Sequence, residues 1–496
     1  MWTLPSLVNS LRCVRCGFVD KGLEKRECPA CSGTLLFEYD CEKVQEVFAG
    51  PEFQTRTPGV WKYRELLPIT DDQDIVSLGE GGTFMHNCPR LAREIGVRKL
   101  LLKDETTNPT GSFVDRGMTV EASKAKELGS RILTCGAKGN LGASAAAYAA
   151  KAGAKCRLLL PETLDTGKLY QMIAYGAELQ PVRDYEEALY RTKASPDEYV
   201  VSPASRFFLE GEKTTGFEIC EQSGWALPDR IVVPVGNGGH LAMIWKALNE
   251  LRKAKLVSDD AARMTCVQPQ GAAPIAHAFN ADRTEVTPQT SVKMFAADIA
   301  VPAPLHGFMA LKALKESKGS AISVTDQEIL KAAALLAHTE GIFAEPAAAA
   351  AIAGLAKAAR SDRIDRDEEV VCVITGAGLK DPNAVKQHID RSKRLDRLLR
   401  RVEPREFTLQ VGGTKLSILQ LLEKSPTHGY AIWKALADQF GVSVKLPSVY
   451  QHLNELEASN LITRVRPKVS VSKREIFQYQ LTEKGREILR ARRQIE

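Results

Sequence analysis

The sequence predicts an α/β protein with parallel sheets, opened by a small cysteine-bearing ribbon and closed by a winged helix domain. Three observations predict it. Short apolar runs alternate with helical stretches over roughly residues 60 to 382, four cysteines pair off near the start, and positive charge gathers in the last quarter. At 496 residues the chain exceeds one ordinary core, and length alone predicts about three domains.

Composition narrows the class. Hydrophobic residues at 44% against 26% charged ones are those of a soluble globular protein, neither disordered nor membranous. No apolar run approaches the ~20 residues of a membrane helix. Met1 to Arg12 lacks the basic-then-apolar layout of a secretory signal, so a cytoplasmic location is expected. The net charge of +6 is uneven: from Asn383 onward 22 Lys and Arg face 12 Asp and Glu, and the body before it is slightly acidic. A polyanionic partner would therefore meet the C-terminal end, although a solvated basic surface is the simpler meaning of charge alone.

The first element is Cys13-Val-Arg-Cys16-Gly17 followed by Cys28-Pro-Ala-Cys31-Ser-Gly33. Each CxxC turn aims two sulfurs at one point. Two such turns supply four thiolates for a structural, tetrahedral Zn²⁺ with no open position. The other seven cysteines are scattered and read as small buried apolar groups.

The central body comes next. Lys99 to Leu102, Ile231 to Val235 and Val370 to Ile374 read as buried strands, with Ala143 to Ala152 and Ile329 to His338 as helices between such runs. Ligands in such folds bind at the carboxyl ends of strands, where glycine loops meet helix starts. Val233-Pro-Val-Gly236-Asn237-Gly238-Gly239-His240-Leu241 is such a junction, a phosphate cradle made of backbone N–H groups. One glycine turn is weak evidence. Its companions are Ser77 to Thr83, Asn108 to Gly117, Lys138-Gly-Asn140-Leu-Gly-Ala-Ser144, Glu345-Pro346 and Thr375-Gly-Ala-Gly-Leu-Lys-Asp-Pro382.

In order and spacing, residues 1 to about 382 resemble threonine synthase, within the fold-type-II (tryptophan synthase β-like) pyridoxal-phosphate enzymes. Archaeal-type members also open with a paired-CxxC zinc ribbon. The resemblance implies that Phe113 packs beside the cofactor ring and that Asn140 hydrogen-bonds its 3′-oxygen. It further implies that Gly236, Asn237, Gly238 and Gly239 hold the phosphate, that Thr375 faces the pyridine nitrogen, and that Ser77 to Thr83 lie near the substrate. A neutral hydroxyl at the ring nitrogen suits elimination and replacement chemistry.

The pattern breaks at one position. The family motif is Ser-Phe-Lys-Asp-Arg-Gly, and its lysine forms the Schiff base; this chain has Ser112-Phe113-Val114-Asp115-Arg116-Gly117. Valine has no nucleophile and no ionisable proton, and loss of general acid–base help alone costs ~10²–10⁴-fold. Nearby, Ala137-Lys138 replaces a serine-rich run, Ala348 replaces the serine of Glu-Pro-Ala-Ser-Ala, and Ala300-Val301-Pro302 replaces Gly-Asn-Pro. No catalytic residue is assigned. Lys138 is a speculative substitute amine, with a solvent-facing loop lysine as the plainer reading.

A basic bridge, 383–405, places Leu395, Leu398, Leu399 and Val402 on one helical face. Beyond it, Leu416 to Leu422, then Ile432, Leu436 and Phe440, then Pro447 with Val449, Leu453 and Leu456 read as three helices. Leu461 to Val471 and Ile476 to Leu481 read as strands, and Thr482 caps a last helix. The stretches around Pro426-Thr-His-Gly-Tyr430, Ser448 to Leu456 and Leu481 to Gly485 resemble PadR-type transcription regulators. That resemblance puts Ser448, Tyr450 and Gln451 toward the major groove and Arg466, Lys468, Lys473 and Arg474 of the wing on phosphates. A winged helix used only for protein contacts is the alternative.

The expected organisation is a ribbon and lead-in over 1–59, a pyridoxal-phosphate fold over 60–382, the bridge over 383–405 and a winged helix over 406–496. The expected function is a homodimeric DNA-binding regulator sensing an amino acid, pyridoxal phosphate or their adduct. The alternative is a working threonine synthase, converting O-phosphohomoserine to threonine, or a related lyase with an appended regulatory domain.

Overall fold

A computed structural model describes residues 6–136, 139–161, 166–182, 187, 197–258, 260, 262–289, 296–361, 363–381, 413–442, 444–465 and 477–493. Its contacts divide the chain into two compact units, Met1–His388 and Ile389–Glu496.

The first unit begins with a three-stranded antiparallel ribbon, β1 (Val8–Cys13), β2 (Val19–Asp20) and β3 (Leu35–Tyr39), with β1 in the middle. Its inward side chains, Leu11, Leu35, Phe37 and Tyr39, join the same apolar core as Phe217, Leu241 and Ile244 of the α/β body. Ribbon and body therefore share one core.

The body holds two parallel sheets among the described residues. The larger runs β12-β11-β10-β13-β5-β4, from Ser320–Val324, Arg263–Pro269, Arg230–Pro234, Glu369–Ile374, Lys99–Asp104 and Met85–Asn87, with only β4 antiparallel. The smaller runs β8-β7-β6-β9, from Glu178–Val182, Lys155–Pro161, Ile132–Gly136 and Glu198–Val201. Strands covered on both faces need apolar residues at successive positions, and period-two alternation sends neighbours to opposite sides. Val371 and Val373 of β13 enter one core, whereas Val370, Cys372 and Ile374 enter the other. The helix Pro346–Arg360 packs so closely on β11 that a Cβ on Gly354 would lie 2.3 Å from Val267. Its run of alanines suits that approach.

In the second unit the helices Gly413–Lys424, Gly429–Phe440 and Leu446–Ala458 precede the antiparallel pair β14 (Ile462–Val465) and β15 (Gln478–Leu481), then a last helix Glu483–Arg493. Ile418, Ile432, Leu436, Val449, Leu453, Leu456 and Leu481 form its core. All three helices expected there are present. Both expected strands are present and paired where they are described, and 466–476 lie outside the described residues, as does the bridge 383–405. Among the described residues no helix is long and apolar enough to cross a membrane.

Candidate functional site

Parallel strands deliver their carboxyl ends to one edge, and there the separate motifs meet. Thr375 and Gly376 leave β13 between two other segments. On one side Phe113 N–H donates to the Thr375 carbonyl (3.0 Å) and Ala377 N–H to that of Gly111 (2.9 Å). On the other, Glu345 N–H donates to the Gly376 carbonyl (3.0 Å), and a Cβ on Gly376 would lie 2.3 Å from the Glu345 carboxylate. Asn140, first residue of the helix Asn140–Ala152, donates from Nδ2 to Glu345 Oε1 (3.0 Å). Phe113 in turn stacks on His240 at 4.2 Å and 13°. His240 directly succeeds the glycine loop, so Phe113, Asn140, Thr375 and Gly236 to Gly239 all fall in one place.

The glycine loop joins β10 to the helix Gly239–Lys253. Gly238 is its N-cap at φ +92°, and a Cβ there would lie 3.0 Å from the His306 carbonyl oxygen and from Ala310. Asn237 is fixed by two acceptors, its carbonyl to His306 N–H (2.9 Å) and its Oδ1 to Leu305 N–H (3.3 Å). Unfilled N–H groups at such a helix start favour an anion.

Val114 begins the helix Val114–Glu127, buried in an apolar cluster with Met118, Ala143, Ala146 and Met172. The next two residues are heavily engaged. Asp115 accepts from Thr110 N–H (2.7 Å) and from the Ser144 hydroxyl (2.5 Å). Arg116, fully buried, donates to Glu105 (2.6 Å), Glu218 (2.7 Å), Thr214 (3.1 Å) and Thr83 (3.0 Å), and Lys103 donates to Glu218 (2.7 Å). Burial alone would raise the Glu105 and Glu218 carboxyls, yet the two cations hold both below the usual range. The same network clamps the Ser77 to Thr83 segment, because Gly82 N–H donates to Glu218 (2.8 Å) and the Thr83 hydroxyl to Glu105 (2.8 Å).

A second group of charges joins Glu345 and Lys380, which stand in the motifs, to Lys168 and Asp298, which do not. Lys168 pairs with Asp298 and stands 3.8 Å from Glu345. Lys380 donates to the Thr110 carbonyl (2.6 Å), and burial brings its ammonium down to about 8. Burial pushes the Glu345 carboxyl up to about 7, with Lys168 and Lys380 opposing and Asp298 adding to the rise. No local motif marks Lys168 or Asp298, since only the fold brings residues 130 positions apart together. Lys138 and Ala137 lie outside the described residues. Ala348 is fully buried, and Ala300 ends a short 3₁₀ turn, Ala297–Ile299.

These residues fit a phosphorylated pyridine held without a covalent link. A Cβ at Gly238 would be strained at φ +92° and tight against His306 and Ala310, and Asn140 Oδ1 is buried without a hydrogen-bond partner among the described residues. Position 114 does not fit a Schiff base. The four ribbon cysteines place their sulfurs within 4.8 Å of one another, at 3.4 Å for Cys13–Cys31 and 3.5 Å for Cys16–Cys28. Four Zn–S bonds of ~2.3 Å in a tetrahedron span similar separations. Against burial, backbone N–H groups of Cys16 and Arg15 hold the Cys13 thiol below its ordinary value, while the neighbouring sulfurs raise that of Cys31, so the crowded set shares its first negative charge unevenly.

In the second unit, Val449, Leu453 and Leu456 face inward, leaving Tyr450 and Gln451 exposed and Ser448 half-buried. Tyr450 packs over Gly429, where a Cβ would lie 2.6 Å from its ring. Gln451 donates to Glu455 (3.0 Å). Arg464, one of the basic residues at the wing, is tied to Glu457 (2.9 Å) and Asn454 (2.9 Å). Arg466, Lys468, Lys473 and Arg474 lie outside the described residues.

Comparison with known proteins supplies an independent view. Residues 76–376 match the family model described as "Pyridoxal-phosphate dependent enzyme", and residues 418–491 match "Transcriptional regulator PadR-like family". Threonine synthase of Methanocaldococcus jannaschii is 43% identical over 381 residues, covering 75% of this chain and 93% of the relative. Threonine synthase of Halalkalibacterium halodurans is 40% identical over 334 residues, covering 66% and 91%. Among solved structures, an L-serine ammonia-lyase from the fungus Rhizomucor miehei matches with a TM-score of 0.55 at 19% identity, covering 62% of this chain and 98% of that one, which shows the shared fold.

Proposed function

The chain belongs to the pyridoxal-phosphate-dependent enzyme family and carries a PadR-like domain at its C-terminal end, and from that premise we propose that it is a transcription regulator whose enzyme-like site binds its ligand without turning it over. The observation that carries this reading is the buried Val114 in an otherwise assembled site. Pyridoxal phosphate, when bound, supplies an aldehyde and an electron-withdrawing ring. The chain's own residues supply the rest. Gly236 to Gly239 hold the phosphate at a helix start, Asn140 and Thr375 orient the ring, and Phe113 covers a face of it. Glu345, with a pKa near neutrality, holds or releases a proton beside Asn140. No described side chain at position 114 is able to carry a proton between substrate atoms, so the ligand is retained, not converted.

The effector in this reading is an amino acid, pyridoxal phosphate or their adduct. Readout is through a homodimer whose paired winged helices contact DNA by Ser448, Tyr450 and Gln451, with phosphate contacts from Arg466, Lys468, Lys473 and Arg474. The ribbon holds Zn²⁺ at Cys13, Cys16, Cys28 and Cys31 as a structural ion, and the protein works in the cytoplasm. The organisation proposed is ribbon 1–59, cofactor fold 60–382, bridge 383–405 and winged helix 406–496.

A second reading, an active threonine synthase with a regulatory appendage, draws on the 43% identity to such an enzyme and on the assembled cradle. The test that separates them is electrophoretic retardation of the protein's own upstream region and of amino-acid biosynthesis promoters. The regulator reading expects specific retardation, weakening steeply with salt and changing when pyridoxal phosphate and amino acids are added together. Absence of specific retardation, with threonine released from O-phosphohomoserine, would reverse the choice.

A further inference from the structure

Glu212 is a buried carboxyl at the phosphate cradle that no motif marks. It lies on the helix Arg206–Gln222, just past Gly211. Gly211 lets that helix press onto Arg116, whose carbonyl oxygen would be 1.9 Å from a Cβ there. The close approach fixes where Glu212 projects. It is 5% exposed, with Oε2 3.2 Å from the point that a Cβ on Gly239 would occupy. Gly239 is the first residue of the cradle's helix, and Leu209 (2.9 Å) and His306 (3.1 Å) crowd the same point, so this carboxyl lies beside the helix start whose first N–H groups are unfilled.

Among the described residues Glu212 has no hydrogen bond or ion pair, and its neighbourhood is apolar. Leu209 beside it packs with Leu36, Ala242, Met243 and Met309. The charged groups of the surrounding elements are engaged with one another, and the Nδ1 atoms of His240 and His306 are buried without a partner among the described residues. On the same helix Glu210 pairs with Lys213 (2.5 Å) and Lys246 (2.9 Å), and Lys213 with Glu250 (2.9 Å). From β3, the Tyr39 hydroxyl donates to Glu210 (2.9 Å), and Arg116 is taken up by Glu105 and Glu218. His240 bonds Thr215 (2.9 Å), and burial drives its imidazole down to about 3. His306 donates to the Pro203 carbonyl (3.0 Å), and burial lowers its imidazole against that hydrogen bond.

We propose that Glu212 is a proton gate on the cradle: a phosphate monoester binds with the carboxyl protonated and donating to a phosphate oxygen, and ionised Glu212 repels it. Two anions in a dry site oppose each other strongly, whereas a neutral carboxyl offers one more donor. Burial, with no opposing partner, lifts this carboxyl to about 8. Below that pH the ligand enters with no proton exchanged at Glu212. Above it, each ligand bound takes up one proton from solvent, and affinity falls about tenfold per pH unit. The inference rests on the reading that this site holds a phosphorylated pyridine.

The test uses the full chain and pyridoxamine 5′-phosphate, which has no aldehyde to label surface lysines. Equilibrium dialysis from pH 6.5 to 9.5 should show affinity dropping above pH 8, while Glu212→Gln, which keeps a donor and loses the charge, holds its affinity. The ratio of the two dissociation constants should therefore widen about tenfold per unit. Titration calorimetry of the unaltered protein in buffers of differing ionisation enthalpy gives a second reading, with uptake approaching one proton per ligand at pH 9. A ratio that stays flat while both proteins bind, or no proton uptake, overturns the gate and leaves the cofactor reading standing. No binding by either protein at any pH overturns both.

Discussion

Arg116→Met would exchange a buried guanidinium for an apolar chain of similar length and leave Glu105 and Glu218 facing one another. Lys103 remains beside them, so two cations opposing two carboxylates become one opposing two. Removing one partner from a buried ion cluster costs about 3–5 kcal/mol, a large part of the ~5–15 kcal/mol that holds a domain folded. The pH dependence comes from the protons. In the unaltered protein both carboxyls are held below their ordinary values, so their contribution is present above the unfolded value and is lost as pH falls through the folded one. In the variant, burial is no longer opposed by arginine, at least one carboxyl rises, and stability instead declines as pH rises through that new value. The gap between the two proteins should thus be wide at pH 8 and narrow by pH 5.5. Urea unfolding followed by circular dichroism at both pH values measures it, and Glu105→Gln added to the variant should recover part of the loss. A loss below about 1 kcal/mol, or an equal gap at the two pH values, would refute the claim that this cluster works as a unit.

Chelation or Cys16→Ser should remove one metal ion per chain, read by elemental analysis, and lower the melting temperature of the body, because Cys13 and Cys28 share a core with Phe217 and Leu241. Unchanged melting would contradict that shared core. Gly238→Ala imposes a side chain at φ +92° and 3.0 Å from a carbonyl oxygen, so binding of pyridoxamine 5′-phosphate should weaken at least about tenfold for ~1–2 kcal/mol of stability. Tyr450→Ala and Gln451→Ala should each cost about 1–3 kcal/mol in specific promoter retention while leaving non-specific binding nearly unchanged.

Much of the fold could be read from the residues. Continuous apolar runs marked β5, β10 and β13, and turn chemistry marked the cradle, because backbone geometry imposes those patterns locally. The three helices of the second unit were legible for the same reason, through Val449, Leu453 and Leu456 on one face. The ribbon's union with the body was not, since Leu11 and Phe37 carry no sign of what covers them. The site divides in the same way. Asn140, Thr375 and the glycine loop stand at strand ends, where sequence pattern and function coincide. Glu212, Lys168 and Asp298 sit within ordinary helices or turns, and only the packing of distant segments gives them chemistry. Arg464 shows the reverse: a basic residue of β14 that the sequence leaves free has its charge taken up by Glu457 of the preceding helix.

The most direct test of a site that keeps its ligand and lacks its chemistry is one absorption spectrum. The unaltered protein and Val114→Lys are each loaded with pyridoxal phosphate, treated with borohydride and dialysed. The unaltered protein should lose its cofactor, whereas the variant should keep one equivalent fixed at position 114, showing a pocket complete except for the amine. One equivalent of cofactor fixed on a single lysine of the site in the unaltered protein, located by peptide mapping, would contradict this account.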